Sequence, residues 1–267
     1  MIVRLEMPPA QRKRPGGVKH DWSFAAGAIA AAALAEIWLT ALPARAQNEA
    51  PAAVQEETPS EPVYKPPPRG APGGRVGGAS RGAVRVAAPL PAIDLLAPDG
   101  HTGLTTSANP TLYFFVSQAI AWPTQFTIIA PNQPRPLVEV DIPAPRQPGV
   151  YSIRTADYPV RLDPGILYTW SVSVILNPKA RSHDIVASAT LLRIPAEPME
   201  QAALRAALPQ RRAAILAQAG LWYDAVAAAA EVANFDHHAT LDALMAEVGL
   251  IGPSRYDRKT SGVIRAK

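Results

Sequence analysis

The chain has 267 residues, 48% of them hydrophobic and 18% charged, with 29 Pro, 17 Gly and no Cys. That length can bury a sizeable core. The absence of Cys excludes a thiol nucleophile, a disulfide framework, iron–sulfur clusters and Cys-ligated zinc. The net charge of +4 does not point to nucleic acid: residues 1–46 carry six basic and three acidic groups, and the other 20 basic and 19 acidic residues nearly cancel.

The first 46 residues read as an address. Arg12, Lys13, Arg14 and Lys19 precede an Ala-rich apolar run from Phe24 to Leu42. Ala44-Arg45-Ala46 then places small residues three and one before a cut ahead of Gln47, the pattern of a secretory signal peptide. No Arg-Arg pair occurs in this segment, which disfavours twin-arginine export, and no Cys follows to carry a lipid. Glu36 lies inside the run, and an acid there costs roughly 2.5–3.5 kcal/mol in a bilayer, which argues against a retained anchor. The expectation is export to the periplasm of a Gram-negative bacterium, with no stable transmembrane anchor.

Residues 47–91 hold nine Pro and six Gly and read as a disordered linker. From Pro62 to Ile93 there is no acid, while Lys65, Arg69, Arg75, Arg81 and Arg85 form a basic stripe. Arg69, Arg75 and Arg81 are therefore candidates for contact with an anionic envelope surface or partner. The run from Gly73 to Gly82 is Gly-rich, but it lacks the preceding strand, the following helix and the Lys-Ser/Thr end of a phosphate loop.

Residues 92–197 read as an antiparallel β-sandwich. Strands are expected at 92–96, 111–116, 125–129, 137–142, from about 150 with a bend at Ala156-Asp157, at 166–176 and at 184–194. Around Trp170, apolar Ile166, Tyr168, Val172 and Val174 alternate with a more polar set, so Trp170 belongs to the core. Leu162-x-Pro164-Gly165-x-x-Tyr168 resembles the tyrosine corner of immunoglobulin-like sandwiches, and Pro98-Asp99-Gly100 after the first strand resembles fibronectin type III domains. Trp122, before Pro123, falls in a loop where it could be exposed.

Residues 198–249 read as helical, with helices at 199–208, 210–219, 221–232 and 240–248. Gly220, Trp222 and Ala225 resemble the turn and second helix of a tetratricopeptide repeat. A lone unit cannot bury its apolar side. Trp222 is therefore expected at a junction between helices, or between helices and sheet. Residues 250–267 read as a basic, disordered tail.

No constellation names a reaction. Ser182-His183-Asp184 has the letters of a hydrolase triad, but neighbours on an extended segment point apart. His237 and His238 with Asp242 supply too few ligands for zinc. Arg154, Asp157, Arg161 and Asp163 suggest a polar edge network, and the first three are candidate interaction residues. No catalytic, cofactor or metal site is assigned.

The set Gly73–Gly82, Leu95-x-Ala97-Pro98-x-x-Gly100, Asn109–Val116, Ala156-Asp157-Tyr158, Leu162–Val172, Arg181-Ser182-x-Asp184 and Ala219–Ala225 spans about residues 70–250. It resembles the bacterial "domain of unknown function 928" proteins and departs at Ala79, where the family tends to have Gly. The resemblance implies an exported, uncharacterised protein and no established activity. The resulting expectation is a non-enzymatic periplasmic interaction or scaffold module with an unidentified envelope partner. A glycan- or ligand-binding accessory domain is the alternative, and an unusual hydrolase the second.

Overall fold

A computed structural model describes residues 2–4, 63–67, 73–79, 90–233 and 239–250. The chain is mainly antiparallel β-structure followed by four helices. The strands are β1 (Ile2–Arg4), β2 (Arg75–Ala79), β3 (Ile93–Leu95), β4 (Gly103–Thr105), β5 (Thr111–Val116), β6 (Thr124–Ile129), β7 (Val138–Ile142), β8 (Gly149–Arg154), β9 (Leu167–Val174) and β10 (Ile185–Arg193). The helices are α1 (Pro198–Ala206), α2 (Pro209–Gln218), α3 (Trp222–Ala233) and α4 (Ala239–Glu247).

One sheet has the order β1-β8-β5-β3, the other β2-β10-β9-β6-β7, with β4 also pairing on β10. All pairings are antiparallel except β1 on β8 and β4 on β10. The alternation read around Trp170 sets the register: Tyr168, Trp170, Val172 and Val174 are all buried, whereas Ile166, read onto the same face, precedes the strand and is exposed, and Trp170 stands opposite Ile128 and Ala189. Side chains of both sheets and of the helices share a single buried cluster. At the Pro164-Gly165 turn, the Asp163 N–H donates to the Tyr168 hydroxyl at 2.9 Å, so that buried phenol keeps a polar partner.

Each strand and helix expected from the sequence over 92–250 forms, with ends shifted by a few residues. Thr155–Asp157 makes a turn of 3-10 helix at the expected bend. Pro198 and Pro209 open α1 and α2, where a missing N–H costs nothing.

The segment expected as a tether differs at two places. Arg75–Ala79 is a strand, because β10 offers an edge to pair with and Gly74, just before it, has no Cβ to collide with the Asp99 carbonyl. Val63–Pro67 is an extended strap. Pro cannot donate to a sheet, yet the strap still docks, because Tyr64 is 5% exposed and the Lys65 N–H reaches the Ala217 carbonyl at 3.1 Å. Residues 68–72 and 80–89, with Arg69 and Arg81, lie outside the described residues. β1 comes from the segment expected to leave as a leader, yet it pairs with β8. The apolar run 24–42, the cleavage site at Ala44, Ala46 and Gln47, and the tail from 251 also lie outside. Among the described residues no helix is long and apolar enough to cross a membrane.

Candidate functional site

The helices are fixed to the sheets by three consecutive side chains at the start of α3. The Trp222 indole N–H donates to the Leu96 carbonyl at 2.9 Å. The Tyr223 hydroxyl accepts from the Trp170 indole at 2.9 Å and donates to the Thr190 carbonyl at 2.9 Å. Asp224 accepts from the Thr106 N–H at 2.7 Å, from the Thr106 hydroxyl at 2.8 Å and from the Thr105 hydroxyl. Trp222 and Tyr223 are fully buried, so each polar tip meets a partner where water cannot reach.

Two glycines make this close approach possible. A Cβ at Gly103 would sit 2.5 Å from the Tyr223 ring. Gly220, at φ +76°, ends α2 in the left-handed conformation that side chains resist. Its N–H bonds the Ala217 carbonyl and the Leu221 N–H bonds that of Leu216, which turns the chain sharply into α3. The Trp222 placement expected from the sequence is therefore met at the helix–sheet junction.

The strap closes over the same junction. The edge of Tyr64 meets Trp222 with centroids 4.9 Å apart, and its ring stacks on His101 at 5.7 Å. The Tyr64 hydroxyl and His101 Nε2 lie 2.7 Å apart. Burial pushes the Tyr64 and Tyr223 phenols well above their usual range and pulls the His101 imidazole below its own. An open cleft of about 410 Å³ adjoins the strap, lined by Tyr64, Pro66, Asp99, His101, Glu247 and neighbouring glycines. The sequence reading did not single out Tyr64 or His101. One aromatic in a Pro-rich, acid-free run was the available signal.

The residues that the sequence nominated are dispersed. Arg75 has its side chain 12% exposed and points to Asp94 at 3.7 Å, so it belongs to the fold rather than to a free stripe. Arg154 grips Asp157 through two hydrogen bonds, of 2.6 and 3.2 Å, on the surface. Arg161 and Asp163 do not join that pair; they line a separate cleft of about 470 Å³ near Tyr168. Trp122 is half-buried and packs against the core. Asp184 is buried and takes the Arg181 guanidinium on one oxygen, while Ser182 is exposed. His237 and His238 lie outside the described residues. Among the described residues, no three His, Asp or Glu side chains converge as a metal-ligand set.

Between α2 and α3 is a groove of about 400 Å³. Pro209, Gln210 and Arg212 line it from α2, and Ala228, Glu231 and Val232 from α3. It offers apolar surface with one cation, Arg212, and one anion, Glu231, in its lining.

A family model described as Domain of Unknown Function (DUF928) matches residues 76–251. No curated protein and no solved structure matches the chain.

Proposed function

We propose that this chain, which belongs to the DUF928 family, is a non-enzymatic interaction module of the bacterial envelope, exported to the periplasm by a cleaved leader. In this reading an immunoglobulin-like sandwich carries a tetratricopeptide-like helical layer, and a protein partner docks on that layer. The two mainly antiparallel sheets over one core and the bonded Tyr168 turn support the sandwich. Gly220, buried Trp222 and buried Ala225, with α2 packed on α3, support the repeat-like pair.

The observation that carries the interaction role is the division of labour on α3. Trp222, Tyr223 and Asp224 at its start are bonded to the sheets, and Ala228, Glu231 and Val232 further along line a groove with α2. A rigid mount with an uncommitted recess suits recognition, since little ordering entropy remains to be lost on binding. Export is supported by the Lys/Arg cluster, the apolar run and Ala44-Arg45-Ala46. Cleavage before Gln47 removes β1 and leaves the β8 edge unpaired.

The test is in-cell photo-crosslinking of the full chain. A probe at Val232 should give one discrete adduct, lost in Ala228→Arg, and the recovered protein should begin at Gln47. A probe at Glu139, on the exposed side of β7, is the control. Matching adduct patterns at the two positions would overturn the groove reading. A start at Met1 or Met7 would overturn export.

The ligand-binding reading has its own observation, the open cleft beside Tyr64 and His101. Glycan-induced line broadening confined to the His101 imidazole would favour it over the groove.

A further inference from the structure

α1 is set with its apolar side outward. Pro198, Met199, Ala202, Ala203 and Ala206 follow one arc of the helix, and all five are exposed. Leu204, on the opposite arc, packs against the core. Met199 is 84% exposed and Leu208, in the elbow between α1 and α2, is 68% exposed. No other large apolar side chain among the described residues is as exposed as either. Single exposed apolar residues are ordinary. Two such extremes on one nine-residue helix and its elbow are not.

The charge around Leu208 is one-sided. From Gln201 to Tyr223 the chain has three arginines, Arg205, Arg211 and Arg212, and no acid. All three are exposed. Glu197 and Glu200 flank Met199 at the other end of α1, and Glu231 sits across the groove from Arg212. Leu208, Pro209, Gln210 and Arg211 are consecutive exposed residues, and Leu208 is not among the residues that line the groove of Pro209, Gln210 and Arg212. A protein partner would need a matching hollow. A fluid bilayer surface takes protruding apolar side chains directly, while arginine stems lie along the boundary and their heads reach phosphate.

We propose that the α1–α2 elbow is a peripheral docking site for anionic phospholipid, with Leu208 and Met199 entering the acyl boundary and Arg205, Arg211 and Arg212 facing headgroup phosphates. This goes beyond the protein-partner reading and does not depend on it. It also moves the anionic contact away from the linker, where Arg75 is already committed to Asp94.

The chain has no cysteine, so one introduced thiol reports one place. Full-length protein carrying Leu208→Cys with an environment-sensitive fluorophore is mixed with phosphatidylcholine vesicles, with or without phosphatidylglycerol. Val186→Cys, 40% exposed on β10, is the control; it separates local insertion from partitioning of the apolar run 24–42. The expected result is a blue shift at position 208 with anionic vesicles and none at 186. Each of Arg205→Gln and Arg211→Gln should weaken the partitioning about fivefold. Because the label itself alters position 208, a label at Met199→Cys should also respond and should lose that response in Leu208→Ser. No shift at 208, equal shifts at 208 and 186, or equal response to neutral vesicles overturns the proposal. A vesicle-independent shift that grows with protein concentration also overturns it, and assigns the face to a second copy.

Discussion

Tyr223 joins three parts of the molecule through one oxygen. It takes a hydrogen from Trp170 on β9, gives one to the Thr190 carbonyl on β10, and belongs itself to α3. Tyr223→Phe keeps the ring against Gly103 and removes the oxygen, leaving a buried indole N–H and a carbonyl short of a partner. Such orphaned groups cost about 1–3 kcal/mol. The unfolding free energy should fall by that amount with the β signature intact, and an unchanged denaturant midpoint would show that water takes the hydroxyl's place. His101 supplies a pH-dependent term at the strap. Burial lowers its folded pKa from 6.5, so the unfolded chain takes up the proton first. Stability from this group is therefore complete above 6.5 and declines as the pH falls below it. His101→Gln should flatten this part of the acid dependence of the melting temperature. A variant as acid-sensitive as the parent would place the dependence elsewhere.

At the scale of elements, legibility followed periodicity. β5 came out with its ends as read, since Thr111–Val116 is apolar and follows the Asn109-Pro110 stop. β9 was legible because Tyr168, Trp170, Val172 and Val174 alternate with a more polar set, and alternation states which face carries the large apolar side chains. β2 and β4 carried no such signal. Arg75-Val76-Gly77-Gly78-Ala79 has neither alternation nor β-branched density, and it is a strand only because the β10 edge is there to pair with. Gly103-Leu104-Thr105 is three residues long, buried throughout, paired along its edge with β10 and packed against α3, so its environment, not its composition, makes it a strand. The same difference governs the candidate site. Trp222 could be placed at a junction because an unpartnered helical unit has to hide it. The match of Tyr223 to Gly103 and of Asp224 to Thr105 and Thr106 joins residues more than a hundred positions apart, and no local pattern encodes that. Nor does local pattern explain Tyr64: a Pro-rich run reads as a solvated tether until a groove is present to receive its one aromatic.

For the whole molecule, the question is whether the β and helical parts are two folding units or one. The bonds across the boundary are not rim contacts. Trp222, Tyr223 and Leu221 are buried together with Leu95, Leu96 and Trp170 in a single cluster, and the polar tips of α3 find their partners on the sheets. Taking the helices away would uncover large aromatic surface on both sides and strand the carbonyls of Leu96 and Thr190. The helices alone are four short elements of nine to twelve residues, which are marginal in water without an apolar support. Expressed separately, residues 198–267 should therefore fail to melt cooperatively, and residues 92–197 should bind a hydrophobic dye or aggregate. In the intact chain a single unfolding transition is expected, with Trp222 and Trp170 reporting it together. A helical fragment that stays folded and monomeric on its own, with Trp222 fluorescence already blue-shifted, would show that the seam is a docking interface between independent units. The strap sharpens the test. Tyr64 touches Trp222 from the segment that precedes β2, so extending a β fragment of residues 73–197 to residues 63–197 should not rescue it. Tyr64 packs on an aromatic that only the helices supply, and the strap's backbone bond ends on Ala217. Rescue by the strap alone would mean that Tyr64 fills the Trp222 site itself, and the order of assembly would then run from strap to helices.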